Sequence, residues 1–271
     1  MISSALSRSI RPAIRHNLFR TPTNTRAINF EASHLNVSSL TDPSCCEIIE
    51  NSSDPRLEEV YHLRYNVARK IMHLPRSHPV VYEQADGNYG VKDALDDEES
   101  TIHFAVRNPN NGKVIAAIRT VDANKSVLEM EKYNWHNLSQ EIKDEGVVEW
   151  CRLCADPSAR GSSAAPMLYI QSVRYHQALG NCNFTFMVDQ KATKLLKYYN
   201  NWTIAEQLTD APVRCDEFEP GRKSYVMNMP MGKPGTLARA KFQSHVYYPA
   251  ILGTCFMKSY RSLPAVVPAV A

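Results

Sequence analysis

Apolar residues along the middle of the chain switch between helical and extended spacing, and each change of period marks an element. The first segment opens at Asp54-Pro55, an N-cap followed by a first-turn proline. After it Leu57, Val60, Tyr61, Arg64, Val67, Ala68 and Ile71 fall on one helical stripe. Residues 101–107 and 113–121 are β-rich runs joined by Asn108-Pro109-Asn110-Asn111-Gly112, whose Asn-Gly pair supplies the positive φ of a tight antiparallel hairpin. A looser polar stretch follows, with Trp135 and Leu138 packing back, before residues 147–154 resume as a strand that Pro157 ends. A turn of small residues, 158–163, leads into a helix from about Pro166 to Ala178, which Gly180 stops. Residues 184–188 read as the next strand, 191–199 as a short helix and 224–229 as a late strand, with no internal repeat.

Composition narrows what such a domain is for. With 271 residues and 44% apolar content, the chain has material for one sizeable core. A net charge of +3 without a dense Lys/Arg stripe gives little support for nucleic-acid binding. No apolar run reaches the roughly 18 residues of a membrane span. Seven cysteines, scattered from Cys45 to Cys255, do not form a disulfide framework and fit a reducing compartment. Residues 1–29 stand apart: they carry Arg8, Arg11, Arg15, Arg20 and Arg26 and no acidic residue. That composition reads as a transit peptide, with a disordered basic arm as the alternative, and implies a mitochondrial protein, with plastid or cytoplasm as the other choices. Residues 30–53 read as a linker and 233–271 as a C-terminal extension.

The charges carry the chemistry. Arg64, Arg119 and Arg152, and Asp93, Asp96 and Glu149, each lie in or beside apolar segments, where an unpaired charge is costly, so they should meet in a buried network. Such a network either holds a charged small substrate or braces the fold. The turn Arg160-Gly161-Ser162-Ser163-Ala164-Ala165 opens a helix with unpaired N–H groups, a site suited to a pyrophosphate. Glu149 is the candidate general base, because a partly desolvated carboxylate has the proton affinity to accept a proton from an attacking amine. In an ideal strand Glu149 and Arg152 face apart, and a bulge around Trp150 or Cys151 would unite them. Cys151-x-x-Cys154 has no second cysteine pair or spaced histidines to make a zinc site, so buried packing is the reading and no metal is expected.

Leu63-Arg64-Tyr65, Asp93-Ala94-Leu95-Asp96, Ile115-Ala116-Ala117-Ile118-Arg119 and Glu149-Trp150-Cys151-Arg152 resemble, in that order, the helical arginine, paired aspartates, strand arginine and Glu-x-x-Arg of the autoinducer (acyl-homoserine-lactone) synthases. The 160–165 turn is similar to the acyl-CoA loop of the wider GNAT superfamily, with Ser163 where glycine is usual. The resemblance covers roughly residues 55–230. It implies an α/β (α+β) class, the GNAT-type acyl-CoA N-acyltransferase fold with a mixed central sheet flanked by helices, over residues 54–232. It implies transfer of an acyl group from acyl-CoA or an acyl carrier protein thioester to a small amine, with no permanently bound cofactor. Under it Glu149 and Arg152 are catalytic, Arg64, Asp93, Asp96 and Arg119 bind substrate, residues 160–165 bind the donor, and a backbone N–H near Leu153 to Ala155 meets the oxyanion. The family's phenylalanine and tryptophan after the helical arginine are replaced by Ala68 and about Leu74. That replacement favours an amino-acid-like acceptor over S-adenosylmethionine. The leading reading takes a medium or long acyl donor. Its rivals are an acetyl-CoA-dependent acetyltransferase of a protein or polyamine, whose tunnel space large side chains fill, and a noncatalytic acyl-CoA-binding module. Phe184, Phe186 and Met187 suit either tunnel arrangement.

Overall fold

The computed structural model describes residues 46–159, 162, 164–193, 196, 205–216 and 220–231. The basic arm, the C-terminal extension from 233, and most of the helix expected over 191–199 lie outside the described residues.

One mixed sheet organises the chain. Strands β1 (Cys46–Ile49), β4 (Thr101–Arg107), β5 (Val114–Asp122), β6 (Val147–Ala155), β7 (Asn183–Asp189), β10 (Lys223–Pro230) and β8 (Glu206–Gln207) follow one another across it, with β9 (Val213–Arg214) also on β10. Every pairing is antiparallel except β6 with β7, which the helix α4 (Ala164–Ala178) connects. A two-stranded hairpin, β2 (Val81–Glu83) with β3 (Tyr89–Val91), stands apart from this sheet.

Alternation of side chains divides the sheet into two faces. Ile102, Phe104, Ile118, Val148, Trp150, Phe184 and Phe186 join Met167, Leu168 and Val173 of α4 in the largest core. The opposite face carries Ala105, Ala117 and Cys154 against Leu57, Val60 and Tyr61 of α1 (Leu57–Met72). Further along that face, Val121, Val147, Cys151 and Val226 meet Leu128, Met130 and Leu138, with Trp135 packed beside them. Those last residues belong to α2 (Glu129–Lys132), α3 (Gln140–Asp144) and the segments around them. Helices therefore flank both faces.

Local chemistry explains the boundaries. The expected Asp54 cap of α1 is not made: the helix begins only at Leu57, with Arg56 in the N-cap position and no side-chain cap. Asp54 Oδ1 instead accepts the Arg56 N–H at 2.9 Å in the turn that precedes it. His73, at φ 55°, ends α1 in the left-handed region. Gly112, at φ 70°, supplies the positive φ that the β4–β5 hairpin requires. Helix α4 starts two residues before the expected Pro166, which then occupies the first turn, where its missing N–H costs no hydrogen bond. The linker expected up to residue 53 ends earlier, since Cys46–Ile49 already pairs with β4. Four residues that include Glu47 are too short a run to show a period.

Candidate active site

Arg119 stands at the centre of the α1-facing side of the sheet and is fully buried. Its Nη1 binds Asp93 at 2.6 Å and Asp96 at 2.9 Å, its Nη2 binds Glu129 at 2.5 Å, and its Nε donates to Cys151 Sγ at 3.2 Å. Arg64 arrives from the buried stripe of α1 and donates to Asp96 at 2.8 Å; its Nη2 lies 3.1 Å from His103 Nδ1. Arg152 closes the set, with Nη2 2.8 Å from Asp93 and 3.0 Å from Glu129. Asp93 and Asp96 are locked together by a short loop in which the Asp93 N–H donates to Asp96 at 2.9 Å. Five of the six charges picked out in the sequence thus meet, with Glu149 lying beside them, and Glu129, His103 and Cys151 join the set.

A β-bulge makes this possible. Between Ala117 and Arg119 β5 advances two residues, while between Cys154 and Cys151 β6 advances three, so the extra residue falls at Arg152-Leu153. The expected bulge therefore exists, but one to two residues later than Trp150 or Cys151. Arg152 takes φ 54°, a left-handed conformation that costs a non-glycine residue about 1–2 kcal/mol. Its ion pairs with Asp93 and Glu129 hold it there. Ideal alternation would send Cys151 and Cys154 to opposite faces, but with the same extra residue both lie opposite residues of the α1-facing side, Arg119 and Ala117, as free thiols.

Glu149 sits beside this lattice and forms no ion pair with an arginine among the described residues. Both its carboxylate oxygens lie 3.3 Å from the Met130 N–H, at the start of α2. Burial, and then the neighbouring Glu129 carboxylate, push its proton affinity well above the usual carboxylate range, against the pull of those backbone N–H groups and Arg119. For Asp96, burial acts the same way but Arg64 and Arg119 overcome it, so its pKa falls. Asp93 is lowered likewise, by Arg119 and Arg152. Four carboxyl groups face three arginines, and the count balances when Glu149 carries a proton. Burial and Arg64 lower the His103 pKa to about 3, so its neutral ring accepts from Arg64 through Nδ1.

Arg64, Asp96 and Arg119 are at most 5% exposed, and their charges are spent on one another. Of the ion-paired set Arg152, with its side chain 12% exposed, is the most open to the outside; the Asp93 side chain is 5% exposed, as are those of Arg64 and Glu129, and Asp93 is half-buried only when its backbone is counted. Ala68 and Leu74 pack with Tyr65 and Val91 in a small core beside the β2–β3 hairpin. Of the 160–165 turn, Ser162, Ala164 and Ala165 are described; Arg160, Gly161 and Ser163 lie outside the described residues. The Ser162 hydroxyl donates to the Ala159 carbonyl at 2.7 Å and accepts the Ala164 N–H at 3.2 Å, which ties the turn to the first residue of α4.

The sheet opens beside Glu149. Strands β6 and β7 pair only from Val147↔Asn183 to Trp150↔Phe186, after which β7 continues with β10 alone. Residues 151–155 form one arm of a fork, with Leu153 exposed on it, and the α4 N-terminus follows just beyond.

Solved structures share this architecture. A CoA-dependent acyl-homoserine lactone synthase, BjaI, determined with SAM and isopentyl-CoA, aligns over 76% of this chain and 91% of its own, with TM-score 0.53 and 13% identity. TofI, in a ternary complex with an inhibitor and MTA, aligns over 71% and 95%, with TM-score 0.50 and 16% identity. MesI, another CoA-dependent acyl-homoserine lactone synthase, aligns over 74% and 95%, with TM-score 0.50 and 13% identity. No protein-family model and no curated protein matches the sequence. At these identities the likeness establishes the fold, and that fold is the one the motifs implied: GNAT-type, with a mixed sheet flanked by helices.

Proposed function

We propose that the protein is an N-acyltransferase that moves an acyl group from a CoA or acyl carrier protein thioester to the amine of a small amino-acid-like acceptor. The observation that carries this reading is the buried, proton-hungry Glu149 beside the fork between β6 and β7. Similarity to synthases described as CoA-dependent supports it. In the proposed reaction the thioester lies in the fork and the acceptor nitrogen attacks its carbonyl carbon. Glu149, in its ionised form, takes the proton that the nitrogen must lose. A backbone N–H of the free arm near Leu153 to Ala155 meets the oxyanion, and the tetrahedral adduct collapses by expelling the thiolate, which regains a proton.

The arginine lattice divides the remaining labour. Arg64, Arg119 and Asp96, buried and mutually paired, hold the bulged strand in place. Asp93 and Arg152, at its edge, are assigned to the acceptor: a carboxylate for its ammonium, a guanidinium for its carboxylate. Residues 160–165 are assigned to the donor's pantetheine and phosphates, and the basic arm to mitochondrial import. A reporter fused to residues 1–29 that stays in the cytosol would exclude that import.

Glu149→Gln tests the chemistry. The variant should lose about 10²-fold or more in turnover while still binding the thioester. A noncatalytic thioester-binding module would show no turnover in either form when acyl donors and a pool of amines are offered and products are read by mass spectrometry.

A further inference from the structure

The fork has an apex, and its occupants bear on which acyl groups it accepts. Trp150 and Phe186 form the last cross-strand pair before β6 and β7 part, and both point to the α4 side of the sheet. There the Trp150 ring lies 4.7 Å from Tyr169, 4.9 Å from Phe184 and 5.7 Å from Phe186, centroid to centroid. Trp150 and Phe186 are 6% and 7% exposed and Phe184 is fully buried, while the half-buried Tyr169 packs against them, so the apex is filled by core side chains with one ring at its rim. The opposite side of the apex offers no better route, because Glu149 and Cys151 stand there beside Arg119 and Glu129. An alkyl chain laid against them would strip solvent and partners from buried charges.

We propose that the Trp150, Tyr169, Phe184 and Phe186 cluster sets the donor specificity of this site, closing the fork to long chains and selecting short acyl groups such as acetyl or propionyl. This inference rests on the acyltransferase reading and replaces the medium or long donor that the sequence suggested. The cluster acts by volume: chain atoms beyond the first few must displace a ring from a filled core, and overpacking there is unfavourable. Trp150 is the member to alter, since it touches the other three. Its indole Nε1 has no hydrogen-bond partner among the described residues, so removing the ring orphans no acceptor.

The experiment is a donor series read by calorimetric binding, which needs no knowledge of the acceptor. Acetyl, hexanoyl and decanoyl thioesters, on CoA and on an acyl carrier protein, are titrated into the wild-type chain, Trp150→Ala and the better-packed Trp150→Leu. Wild type should bind the acetyl donor at least as tightly as the decanoyl donor. The variants should gain about tenfold or more for decanoyl relative to acetyl, as methylenes enter the vacated space. Tighter decanoyl binding by wild type overturns the inference and leaves the acyltransferase reading standing. A variant that folds, by its cooperative melting, yet keeps the wild-type ranking also overturns it. If neither variant folds, the wild-type ranking alone decides. Failure of every thioester to bind sinks both readings together.

Discussion

Glu129 and Glu149 are two carboxyl groups in one site, made unlike by their partners. Glu129 bridges Arg119 and Arg152, while Glu149 has backbone N–H groups and a like charge beside it. Environments that separate two carboxyl groups in this way are how acid and base roles are assigned. Activity should therefore rise with pH through a limb well above the ordinary carboxylate range. Running two acceptors of different amine basicity identifies the limb that stays in place as that of Glu149. The groups facing Glu149 are Glu129 from α2, Arg119 from β5 and Cys151 from β6, with Asp93, Asp96 and Arg152 behind them as partners of Arg119 and Glu129; Thr185 of β7 lies opposite it in the register. Glu129→Gln removes the negative charge that most disfavours ionisation and leaves both arginines, so the limb should move to lower pH; an unmoved limb would reduce Glu129 to a brace. Glu149→Gln carries a second expectation. Above about pH 4.3 the unfolded carboxyl ionises while the folded one holds its proton, so this group opposes folding more as pH rises towards its folded pKa. The glutamine variant, poor in turnover, should therefore melt at a higher temperature than wild type at pH 8. The catalytic candidates were legible in the sequence because a charge inside an apolar run is a signal. Glu129 was not, since in the one-turn helix α2 nothing but its apolar neighbours Leu128 and Met130 separates it from Glu131.

Elements were legible in proportion to their length. Strands β4 to β7 and β10 showed their alternation over seven to nine residues, and α1 and α4 their stripe and stop signals. The two- to four-residue strands β1, β2, β3, β8 and β9 escaped, because so few positions fix no period and tertiary pairing alone defines them. The bulge in β6 was foreseen from function, as the way to bring Glu149 and Arg152 together, while its place was not. Nothing in Cys151-Arg152-Leu153-Cys154 marks Arg152 as left-handed, and the partners that hold it come from residues 93 and 129. Junctions between elements are testable more directly. Ser162 closes the turn between β6 and α4 with two hydrogen bonds, so Ser162→Ala should lower stability by about 1 kcal/mol in urea unfolding. A change below a few tenths would mean that the α4 start is held by other contacts.

Across the molecule, the α1-facing side of the sheet carries two apolar cores with the ion lattice between them, so folding that side means burying charge. Breaking any one pair would leave a buried ion alone, at a cost of about 3–5 kcal/mol, which makes the lattice demanding of completeness. That architecture fixes how stability should depend on acidity. Burial lowers the pKa of His103 to about 3 and of His176 to about 4, against about 6.5 in an unfolded chain. Both rings are neutral when folded, so their contribution is complete above about pH 6.5 and is lost progressively as pH falls towards those lower values, because the unfolded chain binds the protons. Asp93 and Asp96, also depressed, keep their contribution down to about pH 4 and lose it only below. Glu149 slopes the other way, but it is a single group. Unfolding free energy measured by urea between pH 4 and 8 should accordingly start to fall near pH 6.5, well before Asp93 or Asp96 takes up a proton in the native state. His103→Asn keeps an acceptor for Arg64, and His176→Gln can still pair with Thr120, whose hydroxyl lies 2.8 Å from the native ring. The double variant should have a flatter profile between pH 4 and 6.5 than wild type. If the slope there is the same in both, the acid sensitivity comes from elsewhere in the chain, and these two histidines are not the neutral core groups described.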